Sequence, residues 1–335
     1  MSNITMRDIG KKVGVSAVTV SKALAGKSGV SEEMRQRIIR VATDLGYVNP
    51  NTLHTQHARR LDVGILVPDH FFSGDSFYFT FYRNLVQELS DAGHFGLMEL
   101  LSQESDRNLE LPNLLRSHRV DALILLGQPS QAYVRMIAKQ ALPVVFLDFY
   151  DEGALADAVV GDNTYGTYRL TNHLIKNGHR DIGFVGNARA TSSIMDRYLG
   201  FYRAMLGQDL PIREECIVMD RDLQGDLIPL QLPEKLPTAF VCNCDLVATR
   251  LIEQLQEMGL RVPEDVSVVG FDDFTIGNSD PSSLTTFRVD RHSMAQMAVK
   301  LVSDRCAGLQ RPFGRVVVSG QPIYRDSERA IPVEE

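Results

Sequence analysis

From Leu61 onward one pattern recurs: a short apolar run, then a longer segment whose apolar residues fall at helical spacing. The runs at 63–67, 122–126, 144–147, 182–185, 239–242 and 266–269 have the length of strands rather than of buried helices. A strand that is apolar on both faces must be covered on both. Strands alternating with helices meet that demand as parallel sheets between helical layers. The body therefore reads as α/β in two lobes. In the first, strands at 63–67, 96–100, 122–126 and 144–147 alternate with helices near 77–92, 109–117 and 132–139. In the second, strands at 159–160, 182–185, 239–242 and 266–269 alternate with helices at 165–177, 195–206 and 245–258. A helix at 292–307 is expected to return to the first lobe, and the tail after Gly320 to the second. Lobe one is then about 61–158 and 291–319, and lobe two about 159–290 and 320–335.

The first sixty residues differ. They carry ten Lys/Arg against four Asp/Glu, a balance of +6, so the net charge of −7 leaves −13 on the remaining 275 residues. A basic leader on an acidic body points to a polyanion as the leader's partner. Three helix starts are legible. Thr5-Met6-Arg7-Asp8 is a capping box with Asp in place of Glu, followed by Ile9 and Val13. Gly14 permits a tight turn, and Ser16 caps a second helix, 16–25, whose Val20, Ala23 and Leu24 face inward. Ser31 caps a third, with Glu32 and Glu33 in its first turn and Met34, Ile38, Val41, Ala42 and Leu45 on one face. Two helices about a glycine turn, braced by a third, form a helix-turn-helix whose second helix enters the major groove. Its outward residues are Ser16, Ala17, Val18, Thr19, Ser21 and Lys22. Hydroxyls and an ammonium suit phosphates and base edges, and small apolar side chains suit thymine methyls.

The runs Ile4-Thr5-Met6-Arg7-Asp8-Ile9, Val15-Ser16-Ala17-Val18-Thr19-Val20-Ser21-Lys22-Ala23-Leu24, Val30-Ser31 and Leu45-Gly46-Tyr47 resemble the headpiece of the lactose/galactose-repressor (LacI/GalR) family. In the body, Val160-Gly161-Asp162-Asn163, Gly178-His179-Arg180-Asp181, Arg197-Tyr198-Leu199-Gly200-Phe201 and Val262-Pro263-Glu264-Asp265 through Gly270-Phe271-Asp272-Asp273 extend the resemblance along the chain. It implies an all-α headpiece, 1–60, and a periplasmic-binding-protein-like body, 61–335. It also implies a cytoplasmic homodimer on a near-palindromic operator, its headpieces ~34 Å apart, and repression relieved by a sugar between the lobes. A purine or nucleoside corepressor is the alternative, and a plain sugar-binding protein a lesser one. Thr5, Ser31 and Tyr47 join the DNA-facing set by the same resemblance. Lys22 stands where many relatives have Arg, and so lacks the planar fork for guanine. The family's hinge helix inserts a Leu into the minor groove. Counting from Tyr47, that position falls on Gln56, a poor wedge, with Leu53 as the substitute if the register shifts.

Ligands of doubly wound sheets sit outside the carboxyl ends of strands. Asp148 and Asp272 follow such strands and Arg197 is read at a helix start; carboxylates and a guanidinium bind vicinal hydroxyls in pairs. The resemblance puts effector contacts at these three positions and an aromatic pair at Phe77 and Tyr78, with Phe71 and Asp75 as further candidates. Cys244 stands in the effector set where the family has Asn, and a thiol is a weak donor and acceptor.

Nothing in the sequence asks for catalysis. No phosphate loop or G-x-S-x-G occurs, the four cysteines have no ligand spacing, and no cofactor or metal is expected. No apolar run approaches the ~20 residues of a membrane helix, and the start, Met1 to Asp8, has no apolar signal region.

Overall fold

Local signals fix the first helices. Thr5 opens α1 (Met6–Val13): its backbone N–H and its hydroxyl both donate to the Asp8 carboxylate, at 2.9 and 2.7 Å. The turn that follows depends on two glycines. A Cβ at Gly10 would meet the Val15 carbonyl oxygen at 2.6 Å, and Gly14 adopts φ 83° while its N–H returns to the Gly10 carbonyl. The Ser16 hydroxyl then accepts from the Thr19 N–H at 3.1 Å to start α2 (Ala17–Leu24). Ser31 does the same for α3 (Glu32–Asp44), accepting from Met34 N–H at 3.4 Å. Ile9, Val13, Val20, Ala23, Ile38 and Ala42 form the small core, with Leu24 half-buried at its edge. Arg35 ties α3 to α2 by donating to the Ala23 carbonyl at 2.9 Å.

The computed structural model describes residues 5–24, 29–44, 60–72, 77–274 and 283–332. Tyr47, Leu53, Gln56 and Asp75 lie outside them. The chain divides into two units, Met1–Arg60 and Leu61–Glu335.

The second unit begins with β1 (Asp62–Pro68), α4 (Phe77–Asp91), β2 (Phe95–Leu101), α5 (Gln103–Arg107), α6 (Asn113–Arg116), β3 (Ala122–Leu126), α7 (Gln131–Ala138), β4 (Val144–Leu147) and β5 (Asp157–Gly161). It continues through α8 (Asn163–Lys176), β6 (Ile182–Val185), α9 (Ser192–Leu206), β7 (Ile217–Val218), β8 (Ala239–Cys242), α10 (Asp245–Glu257) and β9 (Ser267–Val269). The last elements are β10 (Thr286–Arg288), α11 (Arg291–Cys306), β11 (Arg315–Val318) and β12 (Gln321–Ile323). One sheet runs β11-β5-β4-β3-β1-β2 and another β7-β6-β8-β9, all pairs parallel, while β10 and β12 pair antiparallel. Helix α11 packs on α4 and on β3, β4 and β5, in the first lobe. In the tail, Ser327 exchanges bonds with Val268, N–H to carbonyl at 2.8 Å and hydroxyl to carbonyl at 2.6 Å, in the second.

Two expectations need correction. The strand read at 159–160 as the start of the second lobe is β5 of the first: it lies between β4 and β11, and every one of its residues is buried. The lobe boundary therefore falls after Gly161, because sheet membership is settled by pairing with β4 on one side and β11 on the other rather than by local pattern. The helix expected at 109–117 shrinks to the single turn α6, with the separate short helix α5 ahead of it. Leu109 between them takes φ 56°, and Pro112 caps the second.

Candidate functional site

On the first unit, the outward side of α2 presents Val18, 65% exposed, and Lys22, also exposed. Ala17, Thr19 and Ser21 are half-buried. Thr5, Ser16 and Ser31 are exposed but locally engaged: Thr5 with Asp8, Ser16 with Thr19 at 2.9 Å, and Ser31 as a cap.

On the second unit, strand ends converge on a cavity of about 260 Å³. Phe77, Tyr78, Asp148, Arg197, Cys244 and Asp272 all line it. Asp148 follows β4 with φ 72°, its N–H bonded to Val159 O at 2.8 Å, and its carboxylate accepts from the Tyr78 hydroxyl at 2.9 Å. Asp272 takes φ 112°, a conformation that a non-glycine residue keeps only when its surroundings enforce it. Here the Phe287 carbonyl accepts its N–H at 2.9 Å.

Arg197 is not at a helix start, as the spacing suggested, but one and a half turns into α9, where it is 5% exposed. Each of its nitrogens meets an oxygen: Nε donates to Asn163 Oδ1 at 2.9 Å, Nη1 to the Asn243 carbonyl at 2.5 Å, and Nη2 lies 3.0 Å from Asp272 Oδ1. Its guanidinium lies 4.0 Å from the centre of the Phe271 ring. The Arg197–Asp272 contact balances charge without hydrogen-bond alignment, so Asp272 Oδ1 is a buried oxygen with no hydrogen-bond donor among the described residues. Burial, with Asp148's charge behind it and Arg197 opposing, pushes Asp272 up to about 6. Burial likewise raises Asp148, against Arg197 and the Tyr78 bond, and raises the Tyr78 hydroxyl.

Asp245 opens α10 and serves the framework. Its carboxylate accepts from Thr286 hydroxyl at 2.6 Å and Phe274 N–H at 2.8 Å, and burial lifts it to about 8. Cys244, the preceding cap position, has its thiol raised by burial to about 11, so it is no nucleophile. Among the lining residues that sequence reading missed are two with titratable or charged side chains, His70 and Arg221. His70 lies on a single turn, Asp69–Phe71, after β1, and Arg221 follows the two-residue β7. The available signal was the carboxyl-end rule itself, applied to a strand too short to show a period.

A helix-turn-helix on one unit, and a charge-lined cavity at the carboxyl ends of two parallel sheets on the other, define a DNA-binding regulator with its own small-molecule sensor. The profile described as bacterial regulatory proteins, lacI family, matches residues 5–51, and that of a periplasmic binding protein-like domain matches 171–328. The HTH-type transcriptional repressor PurR of Glaesserella parasuis is 28% identical over 314 residues, covering 90% of this chain and 89% of its own. The ribose operon repressor of Haemophilus influenzae is 25% identical, covering 96% and 98%. Among solved structures, a complex of the transcriptional regulator CelR with cellobiose superposes with TM-score 0.67 at 23% identity, covering 97% of this chain and 99% of its own. The lac repressor dimer bound to operator gives 0.64 at 19%, covering 98% and 100%. The chain thus carries a lacI-type helix-turn-helix domain and a periplasmic-binding-protein-like domain, and is similar over most of its length to repressors of that kind.

Proposed function

We propose that this regulator is a cytoplasmic homodimeric repressor of carbohydrate-utilisation genes, without enzymatic activity, and that a monosaccharide-sized polyol in the cavity releases it from a near-palindromic operator. The observation that carries the reading is a pair of carboxylates on the cavity wall, Asp148 with the Tyr78 hydroxyl as its side-chain donor and Asp272 beside Arg197. Carboxylate oxygens short of donors are what hydroxyl groups fill. A volume of about 260 Å³ lies just below the ~300–1,000 Å³ of drug-sized pockets, which favours one sugar ring. Asp148 and Tyr78 come from the first lobe and Arg197 and Asp272 from the second, so a ligand held by all four ties the lobes together. That differential affinity shifts the DNA-binding equilibrium. In this reading Ala17, Val18, Thr19, Ser21 and Lys22 read DNA, while Phe77, Tyr78, Asp148, Arg197 and Asp272 hold the effector.

The printed names of relatives favour the same class and one competitor: a ribose operon repressor and a cellobiose complex beside a purine-type repressor. A nucleobase would stack on an aromatic face; of the lining rings Phe71, Phe77, Tyr78 and Phe274, Tyr78 is already stacked on Phe71 at 4.8 Å and its hydroxyl is bound to Asp148. Thermal-shift screening of the full chain with monosaccharides, disaccharides, nucleosides and nucleobases tests the reading. Stabilisation by a monosaccharide class is expected; stabilisation by hypoxanthine or guanine alone would replace the sugar with a purine.

A further inference from the structure

Arg221 enters the cavity wall from the segment after β7 and is fixed more firmly than a loop residue needs to be. Asp220 beside it is fully buried: Oδ1 accepts from Asn187 N–H at 2.8 Å, and Oδ2 accepts from Asn243 Nδ2 at 3.0 Å and from Arg221 Nε at 2.7 Å. The Asn187 amide donates back to the Arg221 carbonyl at 2.9 Å. Backbone and Nε are thus pinned, and the rest of the guanidinium is left to the cavity. There it meets little. The side chain is only 11% exposed, yet its further hydrogen bond is Nη2 to the Cys244 sulfur at 3.8 Å, and sulfur is a weak acceptor.

Arg197 in the same cavity makes the contrast, since each of its three nitrogens faces an oxygen. His70 also lines the cavity, and its Nδ1 has no hydrogen-bond partner among the described residues, lying 4.0 Å from the Asp69 carboxylate. Burial foremost, with Arg221's charge adding and Asp69, Asp226 and Asp106 opposing, holds that imidazole below its usual range. A neutral imidazole retains one N–H to donate. A nearly buried guanidinium is costly unless oxygens complete its shell, and a planar fork is completed best by a carboxylate or phosphate.

We propose that Arg221, with His70, is the specificity-determining anion reader of the cavity, and that the effector is a monosaccharide-sized polyol bearing a carboxylate or phosphate. The inference rests on the cavity being the effector site. Asp148 and Asp272 suit hydroxyl donors and repel an anion, so the charged group falls to Arg221. The thiol at Cys244 matters for the same reason. An amide oxygen there would give Arg221 an internal acceptor, whereas sulfur leaves that fork for the ligand.

Calorimetric titration of the full chain decides it, with glucose, galactose and ribose beside gluconate, galacturonate, glucose 6-phosphate and ribose 5-phosphate. An acid should bind about tenfold or more tightly than its neutral parent, a difference of roughly 1.4 kcal/mol by the tenfold rule. Which acids do so distinguishes carboxylate from phosphate. In Arg221→Gln the acid-to-neutral ratio should fall to near one. Cys244→Asn guards against misfolding, because Asn is a better cap for α10 than Cys, and it should lower the ratio by occupying Arg221. A neutral sugar bound as tightly as its acid overturns the inference. So does a ratio that survives Arg221→Gln or, where that variant does not fold, Cys244→Asn. If no polyol binds, neutral or acidic, the cavity reading itself falls.

Discussion

Replacing Arg197 by Ala is the most demanding test of how the cavity is built. The substitution strips Asp272 of its one ion pair among the described residues, leaves Asn163 Oδ1 and the Asn243 carbonyl without their donors, and removes the cation from the Phe271 face. Breaking a buried pair from one side costs ~3–5 kcal/mol, because an uncompensated carboxylate stays behind. That is a large part of the ~5–15 kcal/mol stabilising a native domain. For a body of this size it lowers the melting temperature by about 10 °C. Circular dichroism is the natural probe, since the chain has no Trp. The double variant Arg197→Ala with Asp272→Asn removes the orphaned charge too. It should recover part of the loss, with a coupling of ~1–3 kcal/mol. A single-variant loss below ~1 kcal/mol, or strictly additive losses, would refute the claim that this guanidinium holds the cavity wall together. Effector binding should be lost in both variants.

Other outcomes follow from the same geometry. Lys22→Ala should relax base preference at one operator position; equal weakening on every sequence, measured by anisotropy at fixed salt, would mean that it touches only phosphate. Val18→Ser removes an apolar side chain that is 65% exposed, so it should weaken operator binding while leaving the melting temperature within ~1 °C, as exposed positions do. Effector affinity should be flat above about pH 7 and drop roughly tenfold by pH 5, because protonating Asp272, raised to about 6, removes the acceptor for ligand hydroxyls. Affinity that rises on acidification would contradict that role. Gln56→Leu should increase operator bending in a circular-permutation gel shift, and a strong bend in the unmodified chain would point to Leu53 instead.

What the sequence reveals here divides by range. The caps at Thr5, Ser16 and Ser31 were legible because a cap is a contract between residues three apart. The buried strands β3 and β4 were equally plain, being unbroken apolar runs. Sheet membership was not: β5 looks like any other apolar strand, and only its pairing with β4 and with β11, about 150 residues later, assigns it to the first lobe. At the cavity, Asp148 and Asp272 were visible as charges directly after strong strands. Arg221 was hidden behind a strand of two residues, and its importance comes from Asp220, Asn187 and Asn243, which meet only in three dimensions. The depth of Arg197 was also invisible, since spacing placed it near a helix start and gave no hint of its bonds to Asn163 and the Asn243 carbonyl.

The central claim is that one chain reads DNA and that a small molecule in the cavity of its body changes that reading. The direct measurement is anisotropy of the full chain on the best sequence selected from random duplexes, with and without the stabilising sugar. The account predicts a near-palindromic site, loss of affinity at saturating ligand, and, by linkage, an equal factor in ligand affinity when DNA is present. No selected sequence, or an operator affinity indifferent to saturating ligand, would contradict it.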